Sequence, residues 1–207
     1  MSLTRRFVLL GSAAATLASA PRASLRAADP AAAAGVIRQF YDDLLAVMKE
    51  AKRLSFSDRY GRLAPAINRT FNLALMSRLA VGPDWAKLAP DQQQRVTDSF
   101  SRYTISLYAN RFDDYGGEHF EVDPAPAANP SGVVVQTRLI KSNGEKISLN
   151  YLMRDTGSAW QVIDVFLSGT ISELAARRSE FAAVLAQGGA DALVRLLDQR
   201  AAALRTG

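Results

Sequence analysis

Cysteine is absent from all 207 residues. That excludes a disulfide framework, thiol catalysis and cysteine-based metal sites, so any core must hold without covalent staples. His119 is the only histidine. A metal or general-base role for it needs further ligands or an orienting carboxylate brought in by the fold. Within Glu118-His119-Phe120-Glu121 it reads as a solvated residue at a strand end. Adjacent acidic pairs at Asp42-Asp43 and Asp113-Asp114 do not form a paired-carboxylate site, because helix neighbours point about 100° apart. No catalytic constellation or internal repeat is visible. Whatever the chain does must come from surface and cavity chemistry.

Long apolar runs are also missing. The stretch from Phe7 to Leu17 is too short for a bilayer, which takes about 20 residues. It follows Met1-Ser-Leu-Thr-Arg-Arg and precedes the small residues Ala18, Ser19, Ala20 and Ala23, the layout of a secretory signal. Residues 1–27 are therefore expected to be a signal peptide, with cleavage possible anywhere up to Ala28. The paired arginines serve either Sec or twin-arginine export. With no cysteine after the apolar run, a lipoprotein anchor is excluded. Removing the leader also removes four of the 25 basic residues and no acids, leaving 21 against 20 acidic. In the remaining chain Lys52-Arg53 and Arg177-Arg178 are only pairs, so no basic patch for nucleic acid is formed.

What is present is ordinary globular composition, 48% hydrophobic and 22% charged, in a chain long enough for one domain, 28–207, with a real core. Asp29-Pro30 predicts a capped helix start, and Val36, Ile37, Phe40, Tyr41, Leu44, Leu45 and Met48 follow at helical spacing. Ser55 to Gly82 predicts a second helical region broken at Pro65. Pro90-Asp91 starts a third helix carrying Val96, Phe100, Tyr103, Thr104, Leu107, Tyr108 and Phe112. From about residue 117 the period changes to two. Strands are expected at 119–122, 133–140, 146–154 and 160–167, with a hairpin at Asn143-Gly144. Alternation places Trp160, Val162, Asp164 and Phe166 on one face of the last strand. The strand breaks at Ser168-Gly169 into a helix with Ile171, Leu174, Ala175, Arg178 and Phe181, which ends at Gly188-Gly189 before Asp191 caps another. The class is α+β: helices packed on one face of a curved antiparallel sheet of about four strands.

Asp164 stands out as a carboxylate inside an apolar strand, where it must be paired or hydrogen-bonded. The main reading is a structural ion pair to Arg177 or Arg178; behind it stands a base in an open sheet pocket. The aromatic and aliphatic residues fit a plain core or a ligand cavity, and periodicity alone does not separate the two.

The second half resembles the exported auxiliary component of the Mla/Ttg2 phospholipid-transport systems, also labelled toluene-tolerance proteins. The residues that carry the resemblance are Trp160-Gln-Val-Ile-Asp164-Val165, Gly169-Thr170-Ile171-Ser172, Arg178-Ser-Glu-Phe181 and Gly189-Ala-Asp-Ala-Leu193. Ser168-Gly-Thr-Ile-Ser-Glu-Leu and Gly188-Gly189 are similar to the hopanoid-associated branch. The resemblance implies an NTF2-like sheet subdomain beside a helical subdomain. It implies a monomeric, non-enzymatic periplasmic carrier without cofactor, an auxiliary component of an ABC transporter that serves outer-membrane lipid asymmetry and solvent tolerance. Such a carrier would enclose a phospholipid or hopanoid and exchange it with inner- and outer-membrane lipid-transport complexes. On this reading Tyr151, Trp160, Val162 and Phe166 line the pocket from the sheet, and Phe40, Leu44, Phe71, Tyr103 and Leu107 from the helices. Asp164, Gly169, Arg178 and Phe181 would be structural. The competing readings are an enzyme of the same fold using Asp164 as base on a small apolar substrate, and an exported adaptor with a filled core.

Overall fold

The computed structural model describes residues 29–206. The expected signal peptide lies outside the described residues. Helix α1, Pro30–Glu50, starts as its sequence dictates, with the Asp29 carboxylate accepting from the Ala31 N–H at 2.9 Å and Pro30 in the first turn. Its face of Ile37, Phe40, Tyr41, Leu44 and Met48 is fully buried. Helix α2, Phe56–Thr70, opens with a capping box in which Ser55 and Asp58 satisfy each other's backbone N–H groups. Hydrogen bonding to Ser55 holds the Asp58 carboxyl below its ordinary range.

The break expected at Pro65 falls elsewhere. Pro65 sits inside α2, and the chain leaves the helix at Phe71, which takes an extended conformation and bridges Val162 in parallel. The Asn72 N–H donates to the Val162 carbonyl at 2.9 Å, and the Asn72 side chain caps helix α3, Leu73–Val81, at the Leu75 N–H. A single lost N–H at proline is tolerated when both flanking turns are packed, whereas docking onto a strand requires extended backbone. Helix α4, Pro90–Arg111, begins at the expected proline.

Among the described residues the sheet has seven strands, not about four: β1 His119–Val122, β2 Ala127–Asn129, β3 Gly132–Val135, β4 Thr137–Ile140, β5 Lys146–Asp155, β6 Trp160–Leu167 and β7 Ile171–Ser172. It is antiparallel and open. The run expected as one strand over 133–140 divides at Gln136, because the Thr137 N–H donates to the Asn150 side chain and its hydroxyl to the Leu149 carbonyl. β3 and β4 follow one another along one edge of β5, and β6 lies on the other edge. Strands β2 and β7, the former in an expected loop, are short additions at the margins.

Gly132 is required by close approach. A Cβ there would stand 2.0 Å from the Met153 carbonyl oxygen. At the joint after β6, Ser168 and Gly169 both have positive φ, 51° and 83°, the primed-turn geometry that matches strand twist. The Gly169 carbonyl accepts from Asn150 at 3.2 Å. Helix α5, Glu173–Ala203, then runs on with a kink at Gly188 and Gly189, as the paired glycines predicted. Phe181 on its inner face is buried among the helices, and Arg178 reaches across to the Leu79 carbonyl at 3.0 Å.

Candidate functional site

Between the sheet and the helices lies a cavity of about 90 Å³. Helix α4 supplies one wall through Phe100, Tyr103, Thr104, Leu107, Tyr108 and Phe112. The sheet supplies another through Leu149, Tyr151, Val165 and Leu167, with Phe71 and Met76 behind and Leu174 of α5 closing it. The charged members of the lining are Arg111, Glu173 and Arg177. The rest of the wall is almost wholly apolar, the composition that binds through buried area rather than directed contacts.

Register explains which strand residues face it. Leu149, Tyr151 and Met153 of β5 pair with Leu167, Val165 and Val162 of β6, while Leu152 pairs with Asp164. Ile163 is left over, a bulge that shifts the alternation by one residue. Val165 and Leu167 therefore share the inner face with Val162. Asp164 and Phe166, expected on the same face as Val162, turn to the other side. Of the nine residues named as a pocket lining, Phe71, Tyr103, Leu107 and Tyr151 line this cavity. Phe40, Leu44 and Val162 lie fully buried in the core beside it. Trp160 is half-buried at the sheet end, its indole N–H donating to the Asp29 carbonyl at 3.1 Å.

The inner end of the cavity is a cluster of edge-to-face aromatic rings: Phe71 meets Phe40 at 5.2 Å, Tyr108 at 5.6 Å and Tyr151 at 6.2 Å. Its hydroxyls are satisfied internally. Tyr41 hydrogen-bonds Thr137 at 2.6 Å and Tyr151 at 3.1 Å. Burial pushes Tyr41 up to about 12, against the lowering effect of its hydrogen bonds to Thr137 and Tyr151. Burial raises Tyr108 and Tyr151 further. A neutral phenol is thus favoured in the folded state. An unfolded tyrosine ionises near pH 10, so this stabilisation is complete below pH 10 and is lost as pH rises through the folded values. For Tyr41 alone the loss between pH 10 and 12 is about 2–3 kcal/mol. Urea denaturation is expected to show falling stability from pH 10 upward, with phenolate absorbance of the buried tyrosines appearing only on unfolding. A flat profile from pH 8 to 11.5 would contradict the network.

At the charged end, Arg177 donates to Glu173 at 2.8 Å and to the Tyr103 hydroxyl at 3.0 Å, with its guanidinium 5.1 Å from the Tyr103 ring centre. Burial works against its charge, but Tyr103 and Glu173 more than offset this and hold its pKa up. The ion pair expected between Asp164 and Arg177 or Arg178 does not form. Arg177 is held by Glu173 and Tyr103, and Arg178 by the Leu79 carbonyl. Asp164 is nonetheless an anchor. It accepts from the Ser172 hydroxyl at 2.5 Å, the Val165 N–H at 2.8 Å and the Leu174 N–H at 3.3 Å, fastening β6 to the first turn of α5. Its carboxylate is outside the cavity lining, which takes away the geometry that a base acting on a bound substrate needs. Asp164→Ala is expected to lower stability by about 1–3 kcal/mol by leaving these donors unpaired, measured by denaturant unfolding. His119 is exposed on β1, and among the described residues no group of three or more potential metal ligands gathers.

A model of the MlaC protein family matches residues 38–199. The chain belongs to the MlaC family. A curated relative, toluene tolerance protein ttg2D of Pseudomonas putida, is 29% identical over 106 residues, 51% of this chain and 48% of the relative. The chain thus spans about half the length of the curated relative it matches. The fold is similar to a solved phospholipid-binding protein from Ralstonia solanacearum in complex with a phospholipid, with a TM-score of 0.73 and 26% identity over 83% of this chain and 98% of the other. Among the described residues no helix is long and apolar enough to cross a membrane.

Met76, Phe100, Thr104, Tyr108, Arg111, Phe112, Leu149, Val165, Leu167, Glu173, Leu174 and Arg177 line the cavity as well and are not among the pocket residues expected from the sequence. Glu173 and Arg177 carried a usable signal, an opposite-charge pair four residues apart on the face that also bears Leu174 and Phe181.

Proposed function

We propose that this MlaC-family protein is a periplasmic, non-enzymatic carrier that takes the apolar part of a membrane lipid into the cavity between its sheet and α4–α5. The observation that carries this reading is the cavity itself, apolar on the sheet and α4 sides and charged only at Arg111, Glu173 and Arg177. The phospholipid complex of the Ralstonia relative supports it. Residues 28–207 act as one lipid-carrier unit released from the leader at 1–27, and work as a monomer. Acyl chains lie against Phe71, Tyr103, Leu107 and Tyr151, while a headgroup phosphate faces Arg111 and Arg177. A phospholipid is the primary cargo. A hopanoid tail is a second candidate, motivated by Ser168-Gly-Thr-Ile-Ser-Glu-Leu and Gly188-Gly189. Lipid is exchanged with inner- and outer-membrane transport complexes.

At about 90 Å³ the cavity is smaller than the roughly 300–1,000 Å³ of small-molecule sites. Loading a diacyl lipid therefore requires a wall to move. Helix α5 is the wall with glycines at its entry and middle, Gly169, Gly188 and Gly189, and the Glu173–Arg177–Tyr103 contacts are what close it onto α4.

Transfer of labelled phospholipid or hopanoid from donor to acceptor vesicles tests this reading. The protein is expected to raise the rate in proportion to its concentration and to favour one of the two lipids. Rates equal to those of vesicles alone, for both lipids, would reject the carrier.

A further inference from the structure

A second space, of about 330 Å³, lies on the opposite side of α4 from the apolar cavity, between the start of α2 and the last turns of α5. It shares no lining residue with the first. Its chemistry is also different. Ala201 and Ala202 make a small-residue floor, Phe56 and Tyr60 an aromatic wall with ring centres 6.4 Å apart, and the polar groups are Ser57, Tyr60, Arg102, Ser106, Asp198 and Arg205.

Three features mark it as a site rather than a surface dent. Ser106 is only 3% exposed and brings a hydroxyl-bearing side chain to the lining of this space. Arg205 lies with its guanidinium 5.9 Å from the Phe56 ring centre and has no ion-pair partner among the described residues. The sole carboxylate, Asp198, is already engaged by Arg102, whose Nε and Nη2 both donate to one oxygen at 3.2 and 2.8 Å. The remaining charge facing the space is positive.

We propose that this groove is a binding site for a phosphate group. Two guanidinium groups and three hydroxyls offer more donors than the two oxygens of a carboxylate use, and suit the oxygens of a phosphate. The Phe56–Tyr60 wall and the volume, which falls in the range of small-molecule sites, leave room for an organic group attached to it. The phosphate comes either from a soluble phosphate ester or from a lipid headgroup presented at a membrane surface. Neither source involves the apolar cavity, so the proposal stands or falls separately from lipid carriage.

The test is a titration of ¹⁵N-labelled protein with inorganic phosphate at constant ionic strength, followed through the backbone signals of Phe56, Tyr60, Ser106 and Arg205. A parallel arm measures sedimentation with phosphatidylglycerol vesicles. Saturable shifts at these four residues, weakened roughly tenfold by Arg205→Gln or Ser106→Ala, support the site and a soluble source. Arg205-dependent vesicle binding without phosphate shifts supports the site and a headgroup source. In both cases lipid transfer by the variants remains at the wild-type rate, which also shows that they are folded. Absence of response to both probes overturns the proposal. So do shifts that never saturate, the mark of an adventitious ion only, or responses that are equal in the wild type and both variants.

Discussion

Leu107→Trp is expected to leave the fold intact and to lower phospholipid affinity roughly 50-fold. Leu107 is half-buried because its outer surface faces the cavity between α4 and the sheet. An indole there occupies space that an acyl chain would fill. Denying the ligand three methylenes costs about 2.4 kcal/mol, which is the stated loss in affinity. The substitution touches neither the Tyr41–Tyr151–Thr137 hydroxyl network nor the Asp164 anchor. Thermal unfolding should therefore stay within a few degrees of wild type. Equilibrium binding of a fluorescent phospholipid, read beside the unfolding curve, checks both halves. Unchanged affinity in the folded variant would move the lipid site away from this cavity.

Gly132→Ala has the largest expected effect on stability. The added Cβ falls 2.0 Å from the Met153 carbonyl oxygen and 3.0 Å from its carbon, at a φ of +152°. The obstacle is backbone in the central strand, where β3 pairs with β5 next to the Met153–Val162 pair. No flexible side chain can move aside. Strain and displacement together cost about 3 kcal/mol, a large part of the roughly 5–15 kcal/mol that holds a domain of this size. Chemical denaturation of Gly132→Ala against Gly144→Ala separates this effect from glycine's conformational freedom, since Gly144 has positive φ but nothing within 4 Å. Equal losses at the two positions would show that the close approach is not what requires glycine at 132.

These two positions also show what a reader of the sequence can and cannot see. Helix α1 was legible because its cap, its first-turn proline and its three- and four-residue spacing agree. The strands around Asn143-Gly144 were legible for the same reason, turn chemistry matching alternation. Tyr103 and Leu107 followed from the spacing of α4. The inner face of β6 did not. In Val162-Ile163-Asp164-Val165 three of four residues are β-branched and apolar, so nothing in the run marks which one is the bulge. The extra residue, Ile163, changes the parity and brings Val165 and Leu167 to the cavity in place of Phe166.

The helix break was misplaced for a similar reason. Phe71 leaves the helix because its backbone bridges Val162 and Asn72 caps the next helix, a tertiary cause that outweighs the local signal of Pro65. Arg177 reads from the sequence as a partner for Asp164, and Arg111 and Glu173 are not singled out as pocket residues. They line an apolar cavity because their stems pack into its wall, while Glu173 and Tyr103 satisfy the Arg177 guanidinium. The joint at Ser168-Gly169 was visible as a break, but the role of Asp164 there required the fold. Its partners, Ser172 and Leu174, come from the residues just after the turn rather than from the arginines one turn further on.

The central claim is that the space between sheet, α4 and α5 holds a membrane lipid. Native mass spectrometry of the protein purified without detergent, followed by organic extraction, tests it most directly. The account predicts a phospholipid-sized mass increment on the folded protein, recovered as an intact lipid in the extract and greatly reduced in Leu107→Trp. Protein that carries no lipid on isolation, and acquires none after incubation with phospholipid or hopanoid vesicles, would contradict it.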